Sequence, residues 1–128
     1  MSPSTIKQVV AAYFAATRAM DLEAWLANFA EDAVSYDPVG APPTQGHRGL
    51  RQFWEMIGGA FETFGLTEEN IFVAGNGAAV KWRGAGVGKN GRAVTFEGID
   101  VFEVNGQGKI QKMYGYWDPA PVMAELMA

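Results

Sequence analysis

The stretch "AVTFEGIDVFEVNGQGKIQKMYGYW", residues 93–117, decides the fold. Two alternating or apolar segments flank the dipeptide Asn105-Gly106, and Asn-Gly in this setting is the strongest local signal for a β-hairpin with a type I′ turn. Similar turn signals precede it at 75–77 and 90–91. The sequence therefore predicts a meander of short strands near 66–74, 78–88, 93–104 and 108–118.

The amino-terminal half has the periodicity of helices. Residues 3–20 place apolar or inward-facing groups three and four positions apart, at Ile6, Val10, Tyr13, Thr17 and Met20. A second helix is predicted over 22–32, capped by Asp21, and a third over roughly 47–63, with a short strand ending at Asp37 between them. Helices followed by a strand meander indicate an α+β domain, in which the helices pack on one face of a curved antiparallel sheet.

No linker, internal repeat or low-complexity tract divides the chain, so residues 1–128 are expected to form a single domain. Its tail, residues 118–128, contains two prolines and then a short helical tendency. This tail is expected to cover an opening in the domain or to contact a neighbour.

Composition excludes several classes of function. The 128 residues are 48% hydrophobic and carry a net charge of −4 without a stripe of Lys and Arg, so nucleic acid is not an expected partner. No apolar run approaches the ~18 residues of a membrane span, and the first residues lack the layout of a secretory signal. We therefore expect a soluble, cytoplasmic protein. Cysteine is absent, which excludes disulfides and thiolate catalysis.

Common catalytic motifs are also missing. His47 is the single histidine, so a multi-histidine metal site cannot form, and we interpret it as an exposed or capping residue just before a helix. The segment "GAGVGK", residues 84–89, resembles a phosphate loop but lacks the spacer and the Ser/Thr of that motif. We interpret its glycines as strand residues that permit sheet curvature.

Three polar residues fall at positions predicted to face inward. Strict alternation puts Asp100 on the apolar face of its strand, where loss of water would raise its pKa and keep it protonated, unless a bulge turns it to solvent. Tyr13 lies on the apolar face of the first helix, where most tyrosines are core residues bonded to a backbone carbonyl. Asp37 precedes Pro38, which favours extended geometry, and a turn aspartate bonded to the following loop is the common alternative. Together, one carboxylate and two potential neutral donors favour acid–base chemistry.

The order and spacing of "AAYFAATRAMDLEAWLANFAEDAVSYDPVG" (residues 11–40) and "GIDVFEVNGQGKIQKMYGYW" (98–117) closely resemble the bacterial ketosteroid isomerases, which belong to the nuclear-transport-factor-2-like (NTF2-like) or SnoaL-like superfamily. The resemblance implies a cystatin-like cone, with three amino-terminal helices packed in a strongly curved antiparallel sheet around a deep apolar pocket. It also implies a homodimer. Tyr13 matches the oxyanion-hole tyrosine of those enzymes, Asp37 their general base, and Asp100 their neutral, proton-donating aspartic acid.

The resemblance also suggests which side chains contact a substrate. Trp117 matches an aromatic residue that lines the steroid pocket. Trp54 stands where the isomerases commonly have a tyrosine that supports the oxyanion tyrosine, and an indole can donate but cannot accept a hydrogen bond. Any network behind Tyr13 is therefore expected to be shorter. The remaining predicted wall residues are Phe29, Phe53, Phe102 and Met113.

The resemblance implies a cofactor-independent enzyme without a metal. It would move the C=C bond of a β,γ-unsaturated 3-oxo steroid, or a similar apolar polycyclic ketone, into conjugation by proton transfer through a dienolate. Alternatives with the same fold are a polyketide cyclase, dehydratase or lyase acting on another ketone, and a non-catalytic small-molecule-binding dimer. An epoxide hydrolase would need Arg83 or Arg92 close to Asp100. A bulge that turned Glu97 inward would place a second acid beside Asp100.

Overall fold

The computed structural model describes residues 2–128, in which four helices accompany one six-stranded sheet. The helices are α1 (Pro3–Arg18), α2 (Leu22–Leu26), α3 (Gly46–Gly58) and α4 (Pro119–Leu126). The strands are β1 (Phe29–Tyr36), β2 (Thr44–Gln45), β3 (Phe61–Ala74), β4 (Gly77–Gly88), β5 (Ala93–Val104) and β6 (Ile110–Tyr116).

Helix α1 forms where the apolar spacing predicts it. The Ser2 hydroxyl accepts a hydrogen bond from the Thr5 backbone N–H at 3.1 Å and caps the helix, and Pro3 occupies the first turn, where its missing N–H costs nothing. The helix ends at Arg18. Met20, predicted on the buried face, instead lies beyond the helix with a φ of 52° and is exposed.

The second and third helices are shorter than predicted. Helix α2 ends at Leu26, because the Asn28 side chain donates to the Ala24 carbonyl at 3.1 Å and satisfies the helix end. Residues 29–32, predicted as helix, begin β1 instead. Helix α3 ends at Gly58, and β3 begins at Phe61, five residues before the predicted start of that strand.

The sheet is mixed rather than wholly antiparallel, with the strand order β2-β1-β6-β5-β4-β3. Strand β1 pairs in parallel with β6, while every other neighbouring pair is antiparallel. All three predicted hairpins form. Their turns are not type I′, which requires positive φ at both central residues: the positive φ angles belong to Gly75, Gly91 and Gly108, and to none of the asparagines.

The glycines of "GAGVGK" lie in β4, as interpreted from the sequence. A Cβ atom on Gly86 would lie 2.8 Å from Cδ1 of the Phe61 ring, and one on Gly84 would lie 2.7 Å from Cζ of Phe96. The two rings therefore pack directly on the β4 backbone, an approach that only glycine permits.

The main core lies between α1 and the concave face of the sheet. Its largest fully buried apolar side chains come from α1, from α3 and from strands β4, β5 and β6: Ile6, Val10, Phe14, Leu50, Val80, Phe102, Ile110 and Met113. Burial of each large apolar side chain contributes roughly 1.5–3 kcal/mol. The sheet thus curls around the helices, which is the predicted α+β architecture. Among residues 2–128, no helix is long and apolar enough to cross a membrane.

Candidate active site

A cavity of about 690 Å³, a volume that includes its open mouth, lies between the helices and the sheet. Most of its wall is aromatic or aliphatic. Four polar residues line it: Tyr13, Thr17, Asp37 and Asp100. The three residues predicted to carry the chemistry therefore face one apolar cavity, although they come from α1, the end of β1 and β5.

The backbone of Gly115 brings the two carboxyl groups together. Gly115 in β6 pairs with Asp100 in β5, and its carbonyl accepts a hydrogen bond at 2.8 Å from the Val39 N–H, just after Asp37. A Cβ atom at Gly115 would lie 2.8 Å from Cγ of Asp37 and 3.3 Å from Oδ1 of Asp100. Any side chain at position 115 would collide with the Asp37 carboxyl, so glycine is required there.

Asp37 is partly buried and accepts a hydrogen bond of 2.6 Å at Oδ1 from the indole Nε1 of Trp117. Burial raises the pKa of Asp37 from its ordinary value of 3.8 to about 6, and the bond from Trp117 opposes that rise. Within residues 2–128, Asp37 has no bond to the backbone of the following loop, so the turn-aspartate interpretation is wrong.

Asp100 lies on the apolar face of β5, as strict alternation predicts. The pairing of β4 with β5 runs from Gly77 opposite Glu103 to Val87 opposite Ala93 without a shift, so the bulged alternative is wrong. The side chain is only 2% exposed, and its Oδ2 atom has no hydrogen-bond partner in the described chain. A buried polar atom without a partner is rare and requires an explanation.

The surroundings of Asp100 favour its protonated form. Burial raises the pKa of Asp100 well above 3.8, and the negative charge of Asp37 raises it further. The indole of Trp82 lies close enough to lower that pKa, but its Nε1 atom is itself without a hydrogen bond of ordinary geometry. Asp100 can therefore offer an O–H donor to the cavity.

Tyr13 is 3% exposed and is surrounded by aromatic rings, with the centroids of Phe14 and Phe102 each 5.0 Å from its own. Tyr13 is thus a core residue, as the common alternative has it, but within the described chain its hydroxyl bonds no backbone carbonyl, so that part of the alternative is wrong. Burial, and then the charges of Asp100 and Asp37, raise the pKa of Tyr13 well above 10.0. The hydroxyl is consequently a neutral donor.

The indole beside Tyr13 belongs to Trp25 and not to Trp54. Trp25 lies close enough to lower the pKa of Tyr13 by hydrogen bonding, with ring centroids 6.0 Å apart. Trp54 contacts Trp25 instead, at 5.0 Å. The sequence predicted that Trp54 would stand behind Tyr13 and shorten its hydrogen-bond network. The residue that lies beside Tyr13 is instead Trp25 of α2.

The predicted wall residues divide into two groups. Three of them line the cavity: Phe53, Trp54 and Trp117. The other three do not line it, and lie fully buried in the core: Phe29, Phe102 and Met113. Phe102 shares the inward face of β5 with Asp100, but the rings of Tyr13 and Phe14 cover it. An inward position is therefore not the same as a position on the cavity wall.

Several wall residues were missed from the sequence: Trp25, Phe61, Phe64, Trp82, Phe96, Val122 and Met123. Alternation could have found Phe96, which shares a face with Asp100, and Trp82 on β4. Phe61 was hidden by the overlong prediction for the third helix.

Three other charged residues were candidates from the sequence, and all of them lie outside the cavity: Arg83, Arg92 and Glu97. Glu97 faces away from Asp100 and pairs with Lys81 at 3.4 Å and with Arg83 at 3.9 Å. Arg92 pairs with Glu125 at 2.9 Å. Neither arginine lines the cavity, so the Asp–Arg–Asp arrangement of an epoxide hydrolase does not form.

His47 lies within the first turn of α3, and not just before a helix as predicted. It is half-buried, with Nε2 2.9 Å from the Phe29 carbonyl oxygen. Among residues 2–128, no group of three or more His, Cys, Asp or Glu side chains is placed to hold a metal ion.

Comparison with known proteins agrees with this architecture. The sequence model of one protein family, the SnoaL-like domain, matches residues 10–113 of this chain. A steroid Delta-isomerase of Nocardioides simplex is 30% identical over 118 residues, covering 92% of this chain and 94% of that protein.

Solved structures share the fold. The epoxide hydrolase/cyclase-like enzyme SalBIII of pyran ring formation in the polyether salinomycin has a TM-score of 0.82 at 24% identity, covering 91% of this chain and 93% of its own. RV0760c from Mycobacterium tuberculosis, in complex with estradiol-17beta-hemisuccinate, has a TM-score of 0.80 at 24% identity, covering 89% and 94%. An NTF2-like protein of unknown function from Burkholderia pseudomallei has a TM-score of 0.84 at 21% identity and covers all of both chains. The chain therefore belongs to the SnoaL-like domain family and has the NTF2-like fold.

Proposed function

We propose that the protein is a cofactor-independent isomerase that moves the C=C bond of a β,γ-unsaturated 3-oxo steroid, or of a similar apolar ketone, into conjugation. The main support is the unpartnered Oδ2 atom of Asp100, which is buried beside the Asp37 carboxyl at the wall of an apolar cavity. A donor without a partner inside the protein is available to a ligand oxygen. The steroid Delta-isomerase relative, 30% identical over most of the chain, supports the same reaction.

The first requirement of this reaction is to stabilise the oxygen of the substrate as it gains negative charge. Removing a proton next to a ketone produces an enolate, and donors already in position lower the energy of that state. Tyr13 and Asp100 are both neutral donors on the cavity wall. Because the wall is mainly apolar, their electrostatic effect is stronger than in water.

The second requirement is a base that removes the proton and returns it. A pKa of about 6 leaves Asp37 mostly ionised at neutral pH, and its protonated form is acidic enough to give the proton back. Asp37 would remove the proton next to the ketone and deliver it to the far end of the dienolate. The bond from Trp117 holds the carboxylate in one orientation for both transfers.

The outer face of the sheet bears exposed apolar residues, among them Phe72, Ile99 and Tyr116. Their exposure is consistent with the homodimer that the resemblance implies, since a second copy would cover them.

The direct test is an assay with 5-androstene-3,17-dione, following the absorbance of the conjugated enone. Turnover far above the buffer rate would support the proposal. Turnover no faster than buffer would refute it, and the same base and donors would then be tested on polyketide or other aromatic ketones. Binding of the phenolic steroid equilenin, measured separately, reports whether the cavity still accepts a steroid.

We expect kcat/KM to depend on the ionisation of Asp37. Since only the carboxylate can accept the proton, kcat/KM should fall about tenfold per pH unit below about pH 6 and level off above it. The dione does not titrate in this range, so the profile reports the free enzyme. A profile that stays flat from about pH 5 to about pH 8 would contradict the assignment.

The Trp117→Phe variant identifies the titrating group. Loss of the indole N–H removes the bond that lowers the pKa of Asp37, so the inflection should move to higher pH. Tyr116→Phe is the matched control, because Tyr116 precedes Trp117 but is exposed on the outer face. An inflection that moved in neither variant would mean that another group titrates.

A further inference from the structure

Helix α4 forms part of the cavity wall. It begins at Pro119, two residues after Trp117, and Asp118 caps it by accepting a hydrogen bond from the Ala120 N–H at 3.1 Å. Val122 and Met123 line the cavity, and Val122 is buried. The carboxy-terminal segment is therefore a structural part of the candidate active site.

Val122 and Met123 belong to an apolar cluster separate from the core that contains Tyr13. Other members of that cluster include Phe61, Phe64 and Ile57. That cluster shares two residues with the core around Tyr13, namely Phe96 and Trp117. A ligand whose oxygen meets Tyr13 and Asp100 therefore points its other end toward α4.

The α4 end of the cavity has no charged side chain and no free hydroxyl available to a ligand. Four polar residues line the cavity, and three of them form the group proposed to carry the reaction: Tyr13, Asp37 and Asp100. The Thr17 hydroxyl is already occupied, because it donates to the Phe14 carbonyl at 2.6 Å and accepts from the Leu66 N–H at 3.0 Å. A charged group at the far end of a ligand would be buried without a partner, which is unfavourable.

The carboxy-terminal end of α4 is fastened to the β4–β5 hairpin. The Asn90 amide donates to the backbone carbonyls of Glu125 at 2.9 Å and Ala128 at 3.1 Å. Leu126 packs on Gly88, where a Cβ atom would lie 2.8 Å from Leu126 Cδ2. With its other end continuous with Trp117, α4 is held at both ends and acts as a fixed wall.

We propose that α4 is the specificity element of the site. Val122 and Met123 restrict the ligand to one whose far end is uncharged and limited in length. This inference rests on the proposed function in one respect: it takes the ligand oxygen to lie at Tyr13 and Asp100.

The test uses two phenols that differ at one end, estradiol and estradiol 17-valerate, with affinities measured by calorimetry. In both ligands the phenol oxygen would lie at Tyr13 and Asp100. The ratio of their dissociation constants therefore reports only the contacts of the opposite end of the ligand, at α4. Wild type should bind estradiol at least about tenfold more tightly than the valerate, and Met123→Ala should reduce that preference to about threefold or less. An unchanged preference in Met123→Ala would refute the inference.

Two further variants sharpen the result. Met127→Ala is the matched control, because Met127 follows α4 but is 81% exposed, and the ratio should stay at the wild-type value. Met123→Trp fills the far end, so it should weaken estradiol about tenfold or more while leaving the shorter 2-naphthol nearly unchanged. Equal weakening of both phenols would refute a role in length selection.

These binding ratios separate the inference from the proposed function. A wild type that lacks isomerase activity but shows the expected ratios would refute the reaction and support the role of α4. A wild type that binds none of the phenols would overturn the role of α4 as well, because the ligand orientation on which it rests would be wrong.

Discussion

Replacement of Asp37 by asparagine should lower kcat for 5-androstene-3,17-dione by about 10³–10⁴-fold, the upper range for loss of a general base. Asparagine has the same shape, and its side-chain oxygen can still accept the 2.6 Å bond from Trp117. The amide cannot accept a proton from carbon at neutral pH. Binding of equilenin should therefore persist while turnover is lost, as measured by enone absorbance and by calorimetry on the same preparation.

Asp32→Asn is the matched control for that experiment. Asp32 lies on β1, the strand that precedes Asp37, but it is exposed and accepts a bond from Gln111 Nε2 at 3.0 Å on the surface. Its replacement should leave turnover unchanged. An Asp37→Asn enzyme that kept more than about a tenth of wild-type turnover would show that another group removes the proton.

At Asp100, two substitutions should differ. Asp100→Leu removes a donor to the enolate oxygen and should lower kcat about 10²–10³-fold. Asp100→Asn keeps an N–H donor at the same place, so it should retain substantially more activity than the leucine variant. Asparagine is close in volume to aspartate, the larger leucine faces the cavity, and β5 has a continuous register with β4, so each variant is expected to fold.

The comparison of asparagine with leucine decides whether Asp100 acts as a neutral donor. If the ionised carboxylate were the active form, both substitutions would abolish that form and would be equally damaging. Glu97→Gln serves as the control, because Glu97 lies three residues earlier on β5 but pairs with Lys81 on the outer face. Its activity should match the wild type.

The sequence predicted those parts of the site that depend on local periodicity. Helical spacing placed Tyr13 inward, and alternation placed Asp100 inward, because both patterns continue without interruption along α1 and β5. The location of Asp37 near them depended on the resemblance to the isomerases. No local pattern predicts that Asp37, which follows β1, will contact Gly115 of β6, nearly eighty positions later in the sequence.

The predictions that proved wrong concern residues whose positions are set by tertiary contacts, which local sequence patterns do not show. Residues 29–32 have apolar spacing that suits a helix, yet β1 gains hydrogen bonds from its parallel pairing with β6. Phe29 and Phe102 are inward-facing, but the helix packed over them determines that they lie in the core and not on the wall. Trp25 came to lie beside Tyr13 because α2 is short and turns the chain, which spacing alone does not reveal.

The two carboxyl groups packed over Gly115 also have a consequence for the stability of the fold. Because the pKa of Asp37 is higher in the folded protein than its ordinary value of 3.8, the folded state holds the proton more tightly than the unfolded chain. The stability contributed by this group is fully present below pH 3.8 and is lost as the pH rises through about 6. A rise from 3.8 to about 6 corresponds to at most about 3 kcal/mol, at about 1.4 kcal/mol per pH unit.

The ionised base thus weakens the unliganded fold at the pH where catalysis needs it. Thermal unfolding at pH 7 should show a higher midpoint for Asp37→Asn than for wild type, with the difference shrinking toward pH 4, where the native carboxyl is protonated. A midpoint for the variant equal to or below that of wild type at pH 7 would contradict this. Selection for thermal tolerance alone would therefore tend to remove the base, and only selection for turnover would retain it.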